Sequence, residues 1–298
     1  GFSTRGSGAS KSIVVTVVSP PSISLSVPSG DFVAPANVTL SAATSDSDGY
    51  VAKVDFYANG AWLGSDTSAP FELAWSNIGV GSYSVTAVAT DNGGTTTTTP
   101  ASGLSVRAPI ANAQFVGQSV ATFMQLGAQQ TVTLQMRNTG DLTWSSANNY
   151  RLGSQNPSDN TTWGTSRAYL TGNVGPGQVG TFTFVINTPA APGVYNFQWR
   201  MLQEGVLWFG DYTPNLQITV NAPPTVSLNP PAGNPFTAPA TVNLSANAAD
   251  SDGSITKVEF YSNGTLIGSD SSAPFTLTWN TVPAGAYTVT AKAYDNGG

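Results

Sequence analysis

The chain has 298 residues, of which 9% are charged, with 10 Lys and Arg against 16 Asp and Glu and no His or Cys. Those counts exclude disulfides, thiolate metal sites and any nucleophile–His arrangement, and leave no basic stripe for a nucleic acid. No 18-residue apolar run is present to insert in a membrane, while 31 Gly, 20 Pro and many β-branched residues suit short strands with tight turns.

Residues 1–19 hold one strand-like run, SIVVTVVSPP, in which Ile13, Val15 and Val17 share a face. Residues 20–108 then give strand signals near 22–27, 37–44, 50–58, 61–65, 70–75, 82–90 and 101–107. In YVAKVDFYAN, Ala52, Val54 and Phe56 alternate with Lys53, Asp55 and Tyr57, and Asn59-Gly60 predicts a two-residue hairpin turn. Seven strands at this spacing predict an Ig-like sandwich. Residues 109–221 have a different sequence, with strands expected near 131–137, 150–152, 181–187, 194–203 and 214–220. The junctions VRAPIAN and TVNAPPTV carry Pro and lack Gly, which stiffens a linker.

Residues 222–298 repeat the first domain. Positions 34–94 and 238–298 align without a gap at an offset of 204, with 36 of 61 identical. A repeat this long is a copied domain. The first copy continues into Leu104-Ser105-Val106-Arg107-Ala108-Pro109; the second carries no such closing strand. The expectation is an all-β chain of three tandem Ig-like sandwiches in an elongated string, the last lacking its final strand. Ile13, Val15 and Val17 are then expected to complete a preceding copy of the 222–298 domain, by covalent continuation or by donation from a neighbouring copy head to tail.

The combination DSDG…KVxFYxNGxxxGSDxSAPFxLxW…GxYxVTAxAxDNGG resembles the bacterial Ig-like domains of secreted and surface proteins. Such domains are often strung beside the catalytic domains of extracellular polysaccharide-degrading enzymes. The resemblance covers most of 20–108 and 223–298 and implies a spacer, adhesion or presentation role. The middle domain resembles the four-tryptophan Ig-like domain first described in autophagy cargo receptors. That likeness rests on Asn138-Thr139-Gly140 before Trp144, on SQNPSDNTTWG, on Ala191-Pro192-Gly193 before Tyr195, and on FQWRMLQEGVLWFGD with Trp199. Leu134 stands where that family often has its first Trp.

Two candidate sites each admit two readings. Asp46, Asp48 and Asp91 recur as Asp250, Asp252 and Asp295 in loops expected at the domain's entry end. Oxygen donors of this kind suit Ca²⁺, whereas DSDG and DNGG are also ordinary turn sequences. Trp163, Trp208, Phe209 and Tyr212 could form a flat platform for a polysaccharide, or fill the core of a small sandwich. Lys53 with Asp55, and Lys257 with Glu259, alternate with core residues and so belong on the outward face, which argues against an internal cross-link. The leading expectation is a non-catalytic extracellular or bacterial cell-surface protein, a filament, stalk or spacer whose partner is its own neighbouring copy. The alternative is a carbohydrate-binding or substrate-presenting region of a larger secreted hydrolase.

Overall fold

The computed structural model describes residues 8–297, and they are all β. The chain divides into two compact units between Ile110 and Ala111. The first holds β1 (Ser22–Ser26), β2 (Phe32–Val33), β3 (Ala36–Ser45), β4 (Val51–Ala58), β5 (Ala61–Asp66), β6 (Phe71–Ile78), β7 (Gly81–Asp91), β8 (Thr96–Thr98) and β9 (Ser102–Arg107). One sheet runs β1-β3-β6. The other runs β2-β9-β7-β4-β5, with β8 on β7. Leu40, Val54, Phe56, Val85, Ala87 and Ala89 lie between the two sheets, fully buried.

Alternation places these residues, with one exception. A β-bulge between Val51 and Lys53 carries Val51 to the core, where alternation would have put Ala52. Asn59 and Gly60 take φ of 49° and 79°, the hairpin geometry their sequence demands. The Asn59 side chain also accepts a hydrogen bond from the Ser84 amide at 2.8 Å. In this unit the strand that the sequence pattern does not reveal is β2, whose two residues are too few to show a period, while β8 falls within the threonine run 95–99.

The second unit holds two sandwiches. In its first, β10 (Ala113–Ser119), β11 (Phe123–Gln125), β12 (Gln129–Asn138), β13 (Tyr150–Gln155), β14 (Arg167–Tyr169), β15 (Val179–Asn187), β16 (Gly193–Gln203), β17 (Leu207–Tyr212) and β18 (Leu216–Asn221) form sheets β10-β12-β15 and β11-β18-β16-β13-β14, with β17 on β16. Leu134, Trp144, Phe182, Phe197 and Trp199 are wholly buried between them. The other sandwich has β19 (Thr225–Asn229), β20 (Ala240–Ala249), β21 (Ile255–Ser262), β22 (Thr265–Asp270), β23 (Phe275–Val282) and β24 (Val289–Asp295), in sheets β19-β20-β23 and β22-β21-β24.

All three sandwiches share one corner. Tyr83, Tyr195 and Tyr287 each donate a hydroxyl hydrogen bond to the carbonyl four residues upstream, at 3.1, 2.9 and 3.2 Å. Each ring packs edge-on against a Trp: Trp75, Trp163 and Trp279 respectively. This tyrosine corner anchors the turn into the long strand of an Ig-like sandwich.

Candidate functional site: the domain entry and the open sheet edge

Asp46, Asp48, Asp250 and Asp252 sit in the DSDG loops, Asp91 and Asp295 end β7 and β24, and all six accept from backbone amides. Asp46 accepts from the Asp48 amide, and Asp250 from the Asp252 amide. Asp91 accepts from the amides of Gly93 and Thr95 at 2.8 Å and from the Thr95 hydroxyl at 2.5 Å. The Thr95 hydroxyl, ahead of those amides, holds the Asp91 carboxyl below its ordinary range. Asp295 accepts from the Gly297 amide. Among the described residues, no three acidic side chains converge where they could hold a metal ion. The DSDG segments are thus held by their own first aspartates, while the second carboxylate oxygen of Asp250 is buried with no hydrogen-bond partner.

The second Asp of each DSDG reaches further. Asp48 accepts a hydrogen bond from the Ser19 amide at 2.9 Å, and Asp252 accepts one from the Ala222 amide at 3.1 Å. Ser19 and Ala222 each stand immediately before Pro-Pro. Proline has no amide hydrogen, so each carboxylate holds the last available backbone donor before the domain's first strand. At the second entry the grip is doubled, because the Asn221 side-chain amide donates to Asp295 at 2.9 Å. Asn221 ends β18 of the preceding sandwich. Asn92 and Asn296 tie the two loops together by accepting from Tyr50 and Ser254. Spacing and turn chemistry do not single out Ser19, Asn221 and Ala222; the signal that marks them is the recurrence of a residue-Pro-Pro step ahead of each repeat.

The aromatic platform does not form. Trp163 and Phe209 are core residues, 2% and 4% exposed. Trp163 donates its indole hydrogen to the Asn196 carbonyl, and Phe209 packs on Trp144 and Tyr150. Trp208 lies over Gly153, where any side chain would collide with its ring, and the Arg167 guanidinium stacks on it at 5.5 Å. Tyr212 is exposed, with Arg200 over its ring at 4.5 Å. Two of the four aromatics thus fill the core and the other two have a face covered by a cation.

Asp55 is on the outward face but is buried, a burial the alternation pattern does not foretell. Burial alone would raise its pKa, yet hydrogen bonds from Lys53 and Ser65 outweigh it and bring the carboxyl below its ordinary range. Glu259, its counterpart, accepts from Lys257 at 2.6 Å, Tyr261 at 2.5 Å and Tyr294 at 2.8 Å. Those bonds, led by Lys257, lower its pKa to about 2.

Ile13, Val15 and Val17 belong to no strand among the described residues and are 85, 73 and 85% exposed. Residues 1–7 of the same segment, and Gly298, lie outside the described residues. Among the described residues β24 pairs only with β21, whereas β7, its counterpart, pairs with β4, β8 and β9.

Comparison with known proteins agrees with this organisation. Residues 21–87 and 224–291 match the family model for a bacterial Ig domain, and residues 119–221 match that for the Ig-like domain from next to BRCA1 gene. No curated protein matches the chain. Among solved structures, the fibronectin(III)-like modules of Clostridium thermocellum CbhA are 19% identical, covering 93% of this chain and 87% of that one with a TM-score of 0.28. A solved chain from a structural study of the host cell surface retention of a 1.5-MDa bacterial ice-binding adhesin is 15% identical, covering 93% of this chain and 98% of that chain, TM-score 0.36. The ICAM-5 D1–D4 ectodomain fragment is 12% identical over 92% and 75%, TM-score 0.38. The chain is a tandem of Ig-like domains, two bacterial Ig domains flanking one domain of the next-to-BRCA1 type.

Proposed function

We propose that this chain is a non-catalytic structural protein of the bacterial exterior, a stalk or filament in which Ig-like domains act as spacers. The observation that carries this reading is the duplicated entry clasp, Ser19 to Asp48 and Ala222 to Asp252. A clasp at the same step of both repeats restrains the incoming chain instead of building a ligand pocket, which is what a spacer requires. Proline on the far side of each clasp removes further freedom. Finer still, copies join head to tail by strand complementation, so that a string of domains becomes a filament.

The reading is tested by small-angle scattering. Each sandwich is roughly 30–40 Å long at about 3.3 Å per strand residue, so three in line span on the order of 100 Å. A maximum dimension near ~60 Å, that of a compact globule of this mass, would refute it. Asp252→Ala is expected to broaden the distance distribution by loosening the second entry.

A further inference from the structure

The middle domain differs from its neighbours in charge. Residues 109–221 carry four Arg and four Asp or Glu and are neutral, whereas residues 20–108 carry two cations against seven acids and residues 222–298 two against five. Three of the chain's six arginines lie on one outward sheet face of this neutral domain. Across β14, β13, β16 and β17, Tyr169, Arg151, Leu202 and Trp208 stand opposite one another in one row, and Arg167, Gly153, Arg200 and Tyr212 in the next. The alternate residues Ala168, Leu152, Met201 and Phe209 are buried in the core. Each arginine lies over a ring: Arg151 over Tyr169 at 4.9 Å, Arg167 over Trp208 at 5.5 Å and Arg200 over Tyr212 at 4.5 Å.

The three arginines are not equivalent. Glu204 accepts from Arg151 at 3.3 Å and from Arg167 at 2.6 Å, and Asp159 pairs with Arg167 at 2.5 Å. These carboxylates neutralise two guanidinium groups and hold Arg167 where it clamps the Trp208 ring over Gly153, a position open only because Gly153 has no side chain. Arg200 pairs with no carboxylate among the described residues. Its Nε donates to the Gly210 carbonyl at 3.0 Å and one Nη to the Tyr212 hydroxyl at 3.2 Å. A guanidinium has five N–H donors, so three are left without a protein partner. Tyr169 and Tyr212, 54 and 49% exposed, flank the face. Three strand spacings, about 14 Å, separate the strands that carry them, which is wider than one sugar ring. Beside Trp208 a depression of about 270 Å³ is lined by Arg167, Glu204, Val206 and Leu207 among others.

We propose that this face binds an acidic polysaccharide, a chain of uronic acid residues. A uronate carboxylate takes the free donors of Arg200, the charge-assisted pairing that a guanidinium fork makes well. The apolar C–H faces of neighbouring rings lie on the open sides of Tyr212 and Tyr169, and one ring enters the depression beside Trp208. The occupant is acidic because the group left without a counter-charge is a cation that only donates. It is a chain because its aromatic contacts stand farther apart than one ring can reach. One unneutralised arginine is no basic stripe, which disfavours a nucleic acid. The site lies within one sandwich and does not depend on how the domains are joined, so it adds adhesion to the stalk reading without resting on it.

The test titrates the full chain calorimetrically with hexamers of galacturonate and of mannuronate and with a hyaluronan hexasaccharide. At least one should bind saturably, and its carboxyl methyl ester, alike in shape but uncharged, at least about tenfold more weakly. Arg200→Gln should weaken binding by about tenfold or more, the loss of a charge-assisted pair. Tyr169→Ala, at an exposed ring across the face, should weaken it by a smaller factor and decides the matter where Arg200→Gln disturbs the fold. Tyr50→Ala, at an exposed ring of the first domain, should leave it unchanged. The proposal is overturned by no saturable binding of any of the three, by an ester that binds as tightly as the acid, or by binding indifferent to Arg200→Gln and Tyr169→Ala. Hexaglutamate binding as tightly as the hexuronates would assign the face to acidic peptides and overturn this occupant.

Discussion

The first and third domains are an internal controlled comparison. β3 and β20 have the same length and the same burial pattern residue for residue, and so do β6 and β23. Even Gly64 and Gly268 recur for one reason: a side chain there would collide with Leu73 or Leu277. The long strand breaks the agreement. β7 runs eleven residues with Val85, Ala87 and Ala89 buried, while β24 runs seven with their counterparts half exposed. Tyr83 and Tyr287 form the same corner, so the turn is not the cause. Strand extent here follows pairing, because β7 is held by β4, β8 and β9 and β24, among the described residues, by β21 alone, in keeping with the context dependence of β structure.

Core substitutions should reveal the largest difference. Leu104→Ala is expected to cost the first domain about 2–5 kcal/mol, the range for deleting a buried Leu side chain, and to leave the third domain's transition in place. Val85→Ala should cost the first domain ~1 kcal/mol or more beyond what Val289→Ala costs the third, since less apolar area leaves water at Val289. Denaturant unfolding followed by domain-resolved exchange checks both. Equal losses at Val85 and Val289 would mean that the third domain buries its long strand after all.

The entry clasp comes next. Asp252→Ala removes a carboxylate that accepts from a backbone amide, a loss of about 1–2 kcal/mol, felt by the third domain. Asp48→Ala should have an effect of the same order on the first domain, because each entry keeps one further tie, Thr95 hydroxyl to the Ser19 carbonyl at 3.4 Å and Asn221 to Asp295 at 2.9 Å.

The acid limb follows from the outward carboxylates. Glu259 has a folded pKa of about 2 against an ordinary 4.5. A lowered carboxylate pKa gives stabilisation that is complete above the unfolded value and lost as pH falls through the folded one. The third domain should therefore weaken as pH falls from 4.5 towards 2, and Glu259→Gln should flatten that slope. Asp55, also lowered, gives the first domain a limb of the same sign. The smallest effect expected is that of a chelator. Each of these aspartates accepts from a backbone amide and no three acidic side chains converge among the described residues, so excess chelator should leave the melting curve unchanged. A clear fall would restore calcium to these loops.

Much of this was legible in the residues. The duplicated domain, the Asn59-Gly60 turn and the alternating core of β4 and β7 follow from spacing and turn chemistry alone. Alternation puts Ala52 on the core face where Val51 stands, because a bulge inserts one residue without marking the sequence. Trp163 and Phe209 were ambiguous because a large aromatic suits either a core or a platform, and only the position of its strand decides. The aspartates recur visibly as a set, but each has a backbone amide among its partners, and an amide has no letter in the sequence. Ser19 and Ala222 could be found only by noticing what precedes each Pro-Pro.

The central claim is that the long strand of this sandwich is held along its whole length only where a strand such as β9 pairs with it. Hydrogen exchange on the isolated, unassociated chain at low concentration tests it most directly. Amides of Gly285–Thr288 should exchange much faster than those of Gly81–Ser84, while β20 and β3 remain equally protected. Equal protection of the two long strands along their whole length would contradict the account.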